Sequence, residues 1–151
     1  MKTILAPVDF SVVTARVVDA AAQLAKTSHA RVILLHVVPK PTTLRNVLPA
    51  VADVKIQTKS EEHIAEKKLL ALQRAFRRRL PRMETAHLSG PPAKRIVDEA
   101  RNRKAAYIVV GSHGRSALRD AVLGSVAGAV VKTAPCPVLV VPPLRAGPPA
   151  S

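Results

Sequence analysis

Three glycines and a serine in the C-terminal third of the chain stand in the pattern Gly111-x2-Gly114-x9-Gly124-Ser125. Just ahead of them, Tyr107-Ile108-Val109-Val110 is a short β-branched and aromatic run of the kind that forms a buried strand. A strand ending in glycines and leading to a Gly-Ser helix start lets backbone N–H groups converge on one anion. Glycine permits positive φ and close backbone approach, and a helix N-terminus offers unpaired donors at the positive end of its dipole. The chemistry that fits is a cradle for nucleotide phosphates. Two ordinary turns, one ending a strand and one starting a helix, would show the same spacing. The surrounding elements have to decide between these readings.

Thr3 to Val8 reads as a first strand, closed by Pro7 and followed by Asp9-Phe10-Ser11, with Ser11 as the expected cap of a helix. Val13, Val17, Ala20 and Leu24 carry that helix to about Thr27. Ala30 to Val38 is a second strand, apolar throughout as a parallel strand covered on both faces should be, and His36 within it fits an interior or strand-end histidine better than a ligand. Pro39 to Val51 lacks a period and reads as a loop long enough to flank a site as a lid. A long helix is expected from about Asp53 or Ser60 to Leu80, with Ile64, Leu69, Leu72, Phe76 and Leu80 on its apolar face. Arg74, Arg77, Arg78, Arg79 and Arg82 at its end suit the helix dipole.

Met83 to Leu88 is a weaker strand, placed near a sheet edge, and Gly90-Pro91-Pro92 turns into a helix that faces Ile96, Val97 and Ala100 inward. After the glycine loop come a helix from Ser125 to Thr133 and a fifth strand, Val138 to Val141. Five strands alternating with four helices imply a parallel, doubly wound α/β sheet. Its ligand should lie at the carboxyl ends of the strands, where strand order reverses. With strands 1 and 4 as central neighbours, Pro7-Val8-Asp9 and Gly111-Ser112-His113-Gly114 meet there.

Composition sets the outer limits. The 151 residues, 48% of them apolar, suffice for one domain with a sizeable core. Residues 1–142 form that domain, and the Pro/Ala/Gly-rich stretch 143–151 reads as a disordered tail. No apolar run approaches the ~20 residues of a membrane span, and the N-terminus lacks the features of a secretion signal. The single cysteine, Cys136, excludes an intramolecular disulfide and a multi-cysteine metal site. A cytoplasmic protein is the expectation. The formal charge of +14 favours anionic partners, although net charge alone says nothing about fold.

These landmarks, taken together, resemble the universal stress protein family, in its single-domain, ATP-binding form. The resemblance rests on the full glycine pattern and on Pro7-Val8-Asp9-Phe10-Ser11, Leu35-His36-Val37-Val38, Gly90-Pro91-Pro92-Ala93-x-x-Ile96 and Cys136-Pro137-Val138-Leu139-Val140-Val141, in order and in register. It implies a three-layer, Rossmann-like fold of the adenine nucleotide alpha hydrolase type, with a five-stranded sheet in the order 3-2-1-4-5. It also implies a homodimer paired through Val138–Val141. Pro7, Val8, Asp9 and Val37 would line the adenine and ribose pocket, and Gly111 would pack on the ribose. His113, Gly114 and Arg115, then Gly124, Ser125 and Val126, would hold the phosphates of ATP, with Mg²⁺ or Mn²⁺ bridging them and no metal ligand from the protein alone. One departure is Gly128, where the family often has a polar residue; glycine there should cost the helix ~1 kcal/mol against alanine.

Signals for catalysis are poor. No G-x-x-x-x-G-K-[ST], G-x-G-x-x-G or G-x-S-x-G motif is present, and no carboxylate pair or lysine stands out as a general acid–base set. Asp9 could orient a water for slow ATP hydrolysis, or simply cap the following turn. The expected function is therefore a nucleotide-dependent stress-response and signalling module rather than an enzyme. A nucleotide-independent dimeric adaptor is the first alternative. The second is an electrostatic nucleic-acid binder acting through the Arg74–Arg82 and Lys94–Lys104 surfaces. Phe10, Phe76 and Tyr107 are the only aromatics, and all read as core, which argues against base stacking.

Overall fold

A computed structural model describes residues 1–40, 51–113 and 123–144, with the backbone alone over 51–58. The order of elements is β1 (Thr3–Pro7), α1 (Thr14–Ser28), β2 (Arg31–Val38), α2 (Val51–Phe76), β3 (Met83–Ser89), α3 (Pro92–Asn102), β4 (Tyr107–Gly111), α4 (Ser125–Thr133) and β5 (Val138–Val141). The strands form one all-parallel sheet in the order β3-β2-β1-β4-β5. This is the doubly wound α/β architecture expected from the alternation of elements, with β3 at an edge.

The sheet divides its side chains by the two-residue strand period. Ile4, Ala6, Val32, Leu34 and Val109 point to one face, where Val17, Val18, Ala21 and Ala25 of α1 and Leu69 of α2 cover them. Leu5, Ile33, Leu35, Ile108 and Val110 point to the other, against Ile96, Val97 and Ala100 of α3 and Ala127 and Val130 of α4. Both faces are dry, so the central strands read as continuous apolar runs rather than alternating ones. Each fully buried Leu or Ile contributes roughly 1.5–3 kcal/mol relative to exposure.

Three local expectations change. Ile64 lies off the buried face of α2 at 51% exposure, and the buried stripe runs instead through Ala65 and Leu69, with Leu72 and Phe76 half-buried. That stripe advances by four, three and four residues, the course of one narrow helical face, and Ile64 falls beside it. The helix stops at Phe76 rather than Leu80; turns follow over 77–79, and Pro81 disfavours the α region for Leu80 itself. Leu80 is still buried, delivered by a tight turn in which its N–H bonds Phe76 O at 2.9 Å. Ser11 is not the N-cap of α1; Val13 is, without a side-chain bond. The Asp9 carboxylate accepts the Ser11 N–H at 2.9 Å, and Ser11 O accepts the Thr14 N–H at 3.1 Å, so stacked turns precede the helix.

The glycines also differ in role. Gly111 and Gly124 do not use positive φ, and Gly124 sits at φ −57° and ψ 159°. Gly111 makes a close approach: a Cβ there would meet Val13 Cγ1 at 3.2 Å, just ahead of α1. At Gly128 an added Cβ would meet Leu123 Cβ at an ordinary 3.9 Å, so packing does not demand glycine in α4. The Pro39–Val51 lid falls almost wholly on residues outside the description, as does most of the tail.

Candidate functional site

At the switch point, where β1 and β4 lie side by side, the chain leaves the sheet in opposite directions and opens a cavity of about 610 Å³. Its dimensions fall within the range of small-molecule sites. Pro7, Val8, Asp9, Val37, Gly111, His113, Gly124, Ser125 and Val126 all line it. Gly114 and Arg115 lie outside the described residues.

The β1 side is fixed from two directions. Val8 N–H donates to Leu35 O at 2.8 Å, and His36 Nδ1 lies 2.7 Å from Val8 O. A carbonyl only accepts, so His36 must carry its proton on Nδ1. The histidine is thus a strand-end clamp, as its sequence context suggested. Its ring lies 4.5 Å from that of Phe10, tilted by 36°, and Lys68 Nζ lies 5.2 Å from the Phe10 ring centre. Phe10, half-buried, packs on the core and also lines the cavity, and it holds φ at +62°. A bulky residue in that region costs about 1–3 kcal/mol, a strain that concentrates at functional sites. The Asx turn from Asp9 to Ser11 holds it there.

The β4 side is organised by Ser112, which the glycine pattern did not single out. Buried, it donates its N–H to Val141 O at 2.9 Å and accepts the Gly124 N–H at 2.7 Å through its carbonyl. Its Oγ lies 2.8 Å from His113 Nδ1. One residue thus ties the end of β5, the start of α4 and the orientation of His113. With the Gly124 N–H committed to Ser112, the N–H groups of Ser125, Val126 and Ala127 are the α4 donors with no carbonyl partner among the described residues. None of these has a carbonyl one turn back within α4, whose first internal bond is Gly128 N–H to Gly124 O at 2.8 Å. They open toward the cavity with the positive end of the helix dipole behind them.

The rest of the lining is largely apolar, with Val37, Val38, Ile96, Pro92 and Val110 in it. A ligand with a flat apolar part and an anionic part would find both kinds of wall. Among the described residues no group of three His, Cys, Asp or Glu could hold a metal ion. Burial pushes the Cys136 thiol up, away from nucleophilic use. No helix among the described residues is long and apolar enough to cross a membrane.

Thr14, also missed in the sequence, lines the cavity with its Oγ1 buried and no hydrogen-bond partner among the described residues. An unsatisfied buried hydroxyl costs roughly 1–3 kcal/mol. Thr14→Val keeps the shape and removes that cost, so the unliganded protein should gain about 1 kcal/mol, or roughly 2–4 °C in melting midpoint. A midpoint lowered by a similar amount would show that the hydroxyl is satisfied.

Comparison with known proteins agrees with this geometry. The model of the universal stress protein family matches residues 1–142. The universal stress protein YxiE of Bacillus subtilis is 32% identical, over 91% of this chain and 96% of its own. Among solved structures, UspA from Lactobacillus plantarum superimposes with a TM-score of 0.83 at 25% identity, covering 93% of this chain and 97% of its own. A universal stress protein from Archaeoglobus fulgidus in complex with dAMP gives 0.65 at 25% identity, covering 93% and 97%.

Proposed function

The chain belongs to the universal stress protein family, and on that premise we propose that its cavity binds ATP, with Mg²⁺ or Mn²⁺ carried on the phosphates. The observation that carries this reading is the N-terminus of α4 opening onto an apolar-walled cavity at the switch point. The dAMP complex of the Archaeoglobus fulgidus relative supports an adenine nucleotide as ligand class. In this reading Val37 and the Val8 backbone flank the adenine, Pro7 and Asp9 border the ribose, and Gly111 packs on the sugar. His113, Gly124, Ser125 and Val126 surround the phosphates, and Gly114 and Arg115 join them by resemblance. The cation needs no protein ligand because phosphate oxygens supply its coordination.

The proposed role is sensing rather than turnover: occupancy of the cavity alters which partner the protein engages in a stress response. The polar groups on the cavity wall suit holding phosphate more than attacking it. The Asp9 carboxylate accepts the Ser11 N–H, an occupation of one oxygen that favours a structural task. A homodimer through β5 is part of the proposal; that strand ends the sheet, and Leu139 on it is 44% exposed. Action in the cytoplasm is proposed with it, consistent with a lone cysteine.

Mass spectrometry of the small molecule released from freshly purified, denatured protein should find an adenine nucleotide. Calorimetry should show ATP binding that tightens with Mg²⁺ or Mn²⁺, and ADP, AMP and cyclic AMP titrations rank the phosphate contribution. No heat of ATP binding up to millimolar concentration, with or without the metal, would end the proposal.

A further inference from the structure

The end of the sheet opposite the cavity concentrates the protein's charge. In a parallel sheet every helix-to-strand turn comes out on the same side, so residues 1–2, 26–31, 74–82, 101–106 and 132–137 all gather at the strand N-termini. Hydrogen bonds stitch these segments into one continuous edge. Arg31 N–H donates to Lys2 O at 3.0 Å, Ala106 N–H to Thr3 O at 2.8 Å, Ile108 N–H to Pro137 O at 3.0 Å and Val32 N–H to Arg82 O at 3.4 Å. The segments hold one, two, five, three and one Lys or Arg in that order, half of the 24 in the chain, and none of the ten Asp or Glu. They thus carry +12 of the formal +14, and the rest of the molecule is nearly balanced.

Helix-dipole compensation does not account for such an excess. Four helices end here, each with about half a negative charge at its C-terminus, which calls for about two cations. Arg79 pairs with Asp19, Arg31 with Glu84, Arg103 with Glu99 and Arg101 with Asp98, all acids outside the five segments. Arg74, Arg77, Arg78, Lys2 and Lys104 have no ion pair among the described residues. Like charges held this close repel one another, and an anionic partner would relieve that repulsion.

We propose that this cationic end binds the phosphodiester backbone of a double-stranded nucleic acid, independently of sequence. Five strands at ~4.8 Å spacing make the edge ~20 Å wide, room for about six phosphates along one duplex strand. Eight of the twelve cations are arginine, whose planar fork matches phosphate oxygens two at a time. Phe76 and Tyr107, the rings nearest this end, are half-buried, so stacking on unpaired bases is not provided for. Within the five segments Met1 is the one exposed large apolar side chain, too little for a membrane-inserting face or the apolar centre of a protein interface.

The test is fluorescence anisotropy with a labelled 30-base-pair duplex DNA and a random-sequence competitor. About five phosphate contacts predict a 10²- to 10³-fold loss of affinity between 50 and 200 mM salt. The triple reversal Arg77→Glu, Arg78→Glu, Lys104→Glu should weaken binding at least ~30-fold at low salt. The charge-matched triple Lys40→Glu, Lys59→Glu, Lys67→Glu, placed away from this end, should change it less than ~3-fold. Melting curves of both variants report folding, and either triple can be cut to its first two substitutions if the melt collapses. Equal weakening by both triples would reduce the effect to net charge and overturn the proposal. So would no duplex binding at 50 mM salt, or binding to phosphatidylserine vesicles in place of the duplex. Neither result bears on ATP in the cavity, which lies at the other end of the strands.

Discussion

Ser125→Glu should lower ATP affinity at least ~100-fold without lowering the melting midpoint. Ser125 is the first residue of α4, exposed on the cavity rim, and a carboxylate there lies within the first turn of the helix. For the fold the change is neutral to favourable, because an acidic side chain near a helix N-terminus contributes about 0.3–1 kcal/mol. For the ligand it is severe. The carboxylate competes for the N–H groups of Ser125, Val126 and Ala127 and places a negative charge near where the phosphates would lie. At ~4 Å and an effective dielectric constant near 20, one such pair of charges repels by ~4 kcal/mol, and even half of that exceeds a tenfold loss. Adenosine, which has no phosphate, should bind wild type and variant alike, and Ser125→Gln should bind ATP to within about tenfold of wild type. Calorimetry of the three titrations separates the outcomes: unchanged ATP affinity in Ser125→Glu would remove the phosphates from α4.

The fold was readable in the sequence because its signals are local and redundant. The apolar runs at Ile4-Leu5, Arg31–Val38, Tyr107–Val110 and Val138–Val141 each form a strand, and the continuous apolarity of the central ones reports a sheet covered on both faces. The cavity-lining residues at strand ends and at the helix start were legible for a similar reason: Pro7, Asp9, Gly111, Gly124 and Ser125 are punctuation in the pattern. What stayed hidden depends on tertiary contact. Ser112 acquires its role from Val141 and Gly124, twenty-nine and twelve residues away, and no spacing rule encodes that triangle. Phe10 read as core because it is aromatic; half-buried, it does pack on the core, but it also lines the cavity beside His36 at positive φ, which the sequence does not show. Thr14 looked like a helix residue because its defect, a buried hydroxyl without a partner, exists only once α1 packs on the sheet. The glycine pattern pointed to this end of the sheet for a reason that the structure amends: Gly111 makes a close approach to Val13 and does not use positive φ.

Backbone freedom is required instead at Gly90, and Gly90→Ala should destabilise the protein by about 2–3 kcal/mol. Gly90 is buried between β3 and α3 at φ +131°, a conformation that L side chains rarely adopt. Its N–H donates to Val38 O at 3.0 Å, which continues the β2–β3 ladder one step past the Val38–Ser89 pair. A shift of φ to relieve a new Cβ would pull on that bond. The Cβ would also meet Arg95 Cγ at 3.3 Å and Cδ at 3.4 Å, the stem of a flexible side chain that can yield, so the backbone term decides the size of the effect. The consequence reaches the site, because Val38 at one end of this bond and Pro92 and Ile96 just beyond the turn line the apolar wall. Urea unfolding should show a lower midpoint with an unchanged slope, the mark of lost stability rather than an altered unfolded state. The adenosine affinity should fall as well, since adenosine reports the apolar wall without the phosphates. A variant within ~0.5 kcal/mol of wild type would mean that the turn can relax to negative φ without cost. Gly128→Ala, with no positive φ and only an ordinary contact for the new Cβ in α4, is the matched control that should not destabilise.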